Sequence, residues 1–186
     1  MARRFAVVYS HLMPKGLSQA LLAAVALAAV STLGDFVWAA WLPEHKAVFG
    51  LVHGALLGAA IGLALGLARG RAIPGLLGGA AIVLAAALGF YALRPLLGYS
   101  AMFVLWMALW LAFGLLGGRW LGPRHPLSEA LARGTLAALG SGLAFYLVSG
   151  IWSRFDPRTI DYAYHFGCWT LAFLPGFLAL LLERRS

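Results

Sequence analysis

Six stretches of about twenty residues each run through this chain with hardly a charge among them, at 17–42, 47–68, 73–93, 99–118, 134–153 and 162–182. A helix needs about 20 apolar residues to cross the ~30 Å hydrocarbon layer of a bilayer. Inside that layer each backbone N–H and C=O must be bonded within its own segment, so every stretch predicts a helix. The expected fold class is therefore an all-α integral membrane protein, with six transmembrane helices in one bundle forming a single domain over residues 1–186. With 62% of residues hydrophobic and 11% charged, only short loops and tails lie outside the spans. A soluble catalytic domain has no room, and any function must sit within the bundle or at its two surfaces.

The charges set an orientation. Arg3, Arg4, Lys15, Arg69, Arg71, Arg119, Arg124, Arg133, Arg184 and Arg185 fall on one side, opposed by Glu129 and Glu183. On the other side Lys46, Arg94, Arg154 and Arg158 are balanced by Asp35, Glu44, Asp156 and Asp161. The whole formal charge of +8 thus belongs to one face. The positive-inside rule makes that face, with both termini, cytoplasmic. The basic balance reflects topology and contact with anionic headgroups. No nucleic-acid partner is expected, because no recognition fold accompanies the charge. The apolar run Phe5 to Val8 is too short for a signal-peptide core, so the first span is expected to be retained. Phe5 to Met13, ahead of Pro14, reads as a short interfacial helix. With Cys168 as the single cysteine, neither an internal disulfide nor a thiolate metal site is expected.

Breaks between spans are expected at Pro43-Glu44, Arg69 to Pro74, Arg94-Pro95 and Gly122 to Pro126, and Asp156-Pro157 initiates a turn in the link 154–161. Pro175-Gly176 should kink the sixth helix by removing a backbone donor. In the second span, Gly50, Gly54, Gly58, Gly62, Gly66 and Gly70 recur at every fourth residue. Such a ridge lets another backbone approach closely, which in lipid is a main route to helix association. It reads as ordinary packing within the bundle, as a groove for a flat or chain-like ligand, or as a docking face for a partner helix or second copy. No comparable ladder marks the fifth span, which argues against an inverted-repeat transporter. Trp38, Trp41, Tyr91, Tyr99, Tyr146, Trp152, Tyr162 and Tyr164 cluster near the outer ends of the spans as an aromatic belt. Trp106 and Trp110 lie mid-span, one turn apart, as packing surfaces or as the lining of a ligand.

Asp35 is the sharpest functional signal. A carboxylate inside a span is costly unless it is paired or wet. A tight hairpin brings His53 to nearly the same depth, while the fifth and sixth spans bring Tyr146, Ser149 and His165 to a similar layer. The outer half of the bundle therefore holds the polar side chains and the inner half almost none. That asymmetry suggests a cavity open toward the outer leaflet, suited to a lipid with a small hydroxylated head. The candidate ligand-binding residues are Asp35, His53, Gly50, Gly54, Tyr146, Ser149, His165, Trp106 and Trp110. A bland alternative is a set of hydrogen bonds, Asp35 with His53 for example, that only holds helix register. Catalysis or proton carriage centred on Asp35 and His53 is a second alternative. It lacks an obvious nucleophile or metal-binding carboxylate pair, and no catalytic residue is assigned. Haem binding would need His53 and His165 at matched depth. No cofactor is expected beyond a bound lipid.

Two passages resemble a known family. Trp41-Leu42-Pro43 followed by Ala47-Val48-Phe49-Gly50-Leu51 resembles the corresponding hairpin of the Insig proteins. Phe145 to Arg184, with Ser149-Gly150, an Asp-Pro link, Cys168 and Pro175-Gly176 before a basic tail, is similar to that family's last two spans. The likeness covers about a third of the chain by motif. The Ala, Leu, Gly and Arg bias suits a bacterial member of the inner membrane. The resemblance implies a non-enzymatic sensor whose helices enclose a lipid, an oxysterol in animals and diacylglycerol in bacteria. After the fourth span the chain reads Gly117-Gly118-Arg119-Trp120-Leu121-Gly122, without the aspartate that the animal proteins use toward their partner. Only the lipid-binding part carries over.

Overall fold

The structure, a computed structural model, describes residues 16–41, 46–148 and 162–182, except for the side chains of 38–41, 46 and 47. Six helices make up the described chain: α1 (Leu17–Trp41), α2 (Lys46–Ala68), α3 (Ala72–Leu97), α4 (Ser100–Arg119), α5 (Leu127–Val148) and α6 (Tyr162–Leu181). All six are long and apolar enough to cross a membrane, and no strand occurs among the described residues. The protein is thus an all-helical membrane-type bundle. The interfacial segment 5–13, the Pro43-Glu44 break and the 154–161 link lie outside the described residues.

Each helix packs on the next in chain order, and α6 returns to α1, closing a ring. Across the middle α2, α4 and α6 also touch one another. Among neighbours, α2 and α3 meet most closely and α1 and α2 least. α6 is the most buried span and α3 the least.

The glycine ridge explains the α2–α3 contact. A Cβ on Gly58 or Gly62 would overlap the carbonyl oxygens of Gly79 and Gly75, and Gly75 and Gly79 meet α2 in the same way. At the ridge's outer end, a Cβ on Gly54 would lie 3.5 Å from Val83 and one on Gly50 would lie 2.6 Å from the Tyr91 hydroxyl. From Gly50 to Gly66 the ridge is filled by α3 and the residue before it, while Gly70 lies in the turn beyond α2. The ridge is therefore neither a ligand groove nor a free docking face, and Gly50 and Gly54 face α3.

Two boundaries differ from expectation. α3 does not stop at Arg94-Pro95 but runs to Leu97. Proline near a helix end deletes a single backbone bond, so it does not terminate the helix there. The turn falls instead at Gly98, whose φ of 58° is accessible to glycine and whose N–H donates to the Arg94 carbonyl at 2.8 Å. α5 starts at Leu127, seven residues before the expected 134, carrying Glu129 and Arg133 in its first turns. Charged residues at a span's end reach the interface without interrupting the helix. α6 continues through Pro175, whose ring packs on Gly140 of α5.

Candidate functional site

The outer-half polar cluster forms, but with a different partner for its acid. The Trp169 indole Nε1–H donates to Asp35 Oδ2 at 2.7 Å, and His165 Nδ1 lies 3.7 Å from the same oxygen. The side chains of Asp35 and His165 are 16% and 8% exposed. Asp35 lies six residues before the end of α1 and Trp169 seven after the start of α6, so each is roughly 10 Å inside its helix end. Oδ1 of Asp35 accepts no hydrogen bond from the described residues.

The expected Asp35–His53 pair is not made. The His53 ring lies against Gly34 and stacks on Phe49, with centroids 5.5 Å apart and planes 8° apart. Successive residues on a helix point about 100° apart. Gly34 therefore turns toward α2 while Asp35 turns toward α6. The two imidazoles flank α1 on different faces, which removes the facing pair that haem ligation needs. No group of three or more His, Cys, Asp or Glu side chains suited to a metal occurs among the described residues.

One turn deeper on α1, Ser31 and Thr32 are buried, and neither hydroxyl has a hydrogen-bond partner among the described residues. Unsatisfied buried hydroxyls cost free energy and mark a place where water or a ligand completes the set. They follow Asp35 down the helix at i−4 and i−3. The pair was legible as a polar dipeptide inside an apolar span, yet the sequence reading passed over it. Trp169 was missed for another reason: an indole in a span signals bulk before it signals a donor.

Trp106 and Trp110 belong to an aromatic core. Trp106 stacks on Phe145 at 4.4 Å, and its Nε1–H is shared between the carbonyl and the hydroxyl of Ser141 at 3.2 and 3.1 Å. The Ser141 hydroxyl in turn donates to the Ala172 carbonyl, tying α4, α5 and α6 together. Trp110 packs on Gly176 and stands edge-on to Phe177 at 5.5 Å. Trp169 stacks on Phe173 at 5.5 Å and continues this column upward. Aromatic rings thus fill the space that the sequence reading gave to lipid tails. Tyr146 is 62% exposed, its ring against Phe103, and so it faces outward at the α4–α5 edge. Ser149 lies outside the described residues.

Fold and site together define a six-helix membrane bundle with an acid–imidazole–indole cluster set into its side. No known protein family, curated protein or solved structure matches the chain.

Proposed function

We propose that the protein is a non-enzymatic, Insig-like lipid-binding sensor of the bacterial inner membrane, with both termini cytoplasmic. It would hold a diacylglycerol- or sterol-like lipid by its hydroxylated head. The observation that carries this reading is the half-satisfied Asp35 carboxylate beside His165, with the unpartnered Ser31 and Thr32 hydroxyls a turn below. A hydroxyl donates to Oδ1, and its oxygen accepts from an imidazole or hydroxyl, so one small head satisfies several groups at once. The aromatic column closes the interior, so the tails belong at the outer surface of the bundle beside Asp35. Apolar burial of this kind contributes roughly 0.8 kcal/mol per CH₂, which makes the tails the source of affinity and the head the source of selectivity. The orientation rests on the arginines gathered at one end of the bundle.

Native mass spectrometry and lipid extraction of the purified protein test the reading. A retained neutral lipid, with thermal stabilisation by added diacylglycerol or sterol, is expected. A protein that retains no such lipid and gains no stability from either addition overturns it.

The 3.7 Å separation of Asp35 and His165 also favours a second reading, an intramembrane acid–base pair that carries protons or serves an enzyme. Asp35→Asn then abolishes proton flux in liposomes while lipid retention persists. Loss of lipid retention without any wild-type flux favours the sensor.

A further inference from the structure

The opposite, arginine-rich end of the bundle holds a cleft remote from Asp35. Arg69, Gly117, Gly118, His125 and Arg133 line it together with apolar side chains of α2, α5 and α6. Its floor is glycine. Gly118 lies against Ala130 of α5, while a Cβ on Gly117 would meet no atom within 4 Å. The cleft is therefore open where a side chain would otherwise stand.

Its cations are unequally engaged. Arg133 donates from Nε to the Ala179 carbonyl at 3.2 Å and from Nη2 to the Leu182 carbonyl, and its Nη1 lies 3.9 Å from Glu129 Oε1. The other carboxylate oxygen of Glu129 is 3.2 Å from His125 Nδ1. Glu129, beside the cleft, is thus already shared between Arg133 and His125. The Arg69 guanidinium, by contrast, makes no hydrogen bond or ion pair with the described residues, and its stem passes over Gly122 with Cδ 3.5 Å from where a Cβ would be. His125 Nε2 is buried and likewise has no partner among the described residues. Two backbone-linked bonds hold this segment in place: His125 N–H to the Gly118 carbonyl at 3.0 Å, and Arg119 Nη1–H to the His125 carbonyl at 3.1 Å.

A guanidinium and a ring nitrogen that no described residue engages, both lining a glycine-rich cleft, describe an anion site. We propose that this cleft binds a phosphate group, either that of a lipid headgroup or that of a small phosphorylated solute. Arg69 supplies the charge and the paired N–H donors that match phosphate oxygens. The orphan nitrogen is satisfied from either direction: a P–OH donates to neutral Nε2, or the imidazolium Nε2–H donates to a phosphate oxygen. Arg133, anchored by α6 and Glu129, forms the fixed wall. Arg69 directly follows α2, so the site sits at headgroup depth.

The test uses the full chain. Binding of inorganic phosphate is followed by thermal shift in detergent. Retention of phosphatidylglycerol against phosphatidylcholine is followed by native mass spectrometry from mixed nanodiscs. Arg69→Gln should weaken binding by about tenfold to a hundredfold, as loss of a charge-assisted contact does, without lowering the ligand-free melting temperature. Gly117→Leu should block the cleft and give the same loss. Stabilisation by phosphate alone identifies a solute site, and Arg69-dependent retention of phosphatidylglycerol identifies a headgroup site. The proposal is overturned if neither probe binds in an Arg69-dependent way. It is equally overturned if Arg124→Gln, on the same surface but outside the cleft, costs as much.

Discussion

Asp35 shows how a single side chain can be found in the sequence while its partner is not. An acid inside an apolar span has to be answered by something, so its importance was legible from position 35 alone. Its answer is Trp169 and His165, more than a hundred residues away, because the helix turns Gly34 and not Asp35 toward His53. Trp169→Phe keeps the stacking on Phe173 but removes the donor, leaving a largely buried carboxylate oxygen with His165 alone beside it. A stability loss of about 1–3 kcal/mol follows, read as a lower melting temperature. Asp35→Asn restores part of it in the double variant, since an amide no longer requires a donor for a charge. Gly34→Ala should displace the His53 ring, because the added methyl would overlap it. A histidine ¹⁵N chemical shift that moves in this variant, with no change at His165, checks that assignment.

Between helices, the glycine ladder was legible as a ridge, but its occupant was not. Periodicity states that a face is small, and only the chain's return as α3, with Gly75 and Gly79 facing it, states what covers the face. Gly62→Ala therefore pushes α2 and α3 apart and should lower the melting temperature markedly. Gly117→Ala, with open space around its new methyl, should leave stability unchanged or slightly raised, since alanine favours the helix. The contrast between the two, measured by thermal unfolding in one detergent, isolates packing from propensity. The helix ends were less legible than their existence. Arg94-Pro95 and Glu129-Arg133 look like interruptions, yet a helix end near headgroups tolerates both a missing donor and a charge.

In the bundle, α1 and α2 are joined by a short link, yet α1 packs more closely on α6, with Ala20, Ala24 and Ala28 fully buried. A protease site inserted between Pro43 and Glu44 should therefore leave α1 co-eluting with the rest after cleavage. Loss of α1 on gel filtration would show that the link, and not the α1–α6 face, holds it. Six spans, their helicity and the gathering of arginines at one end are properties of local composition: each segment must satisfy its own backbone in lipid, and charges must lie outside it. Those were all readable along the chain. The ring closure by α6, the aromatic column that fills the centre, the α1–α6 pairing of Asp35 and the cleft beside Arg69 depend on which faces meet. In apolar helices every face looks alike to hydropathy, so shape complementarity between distant segments decided them.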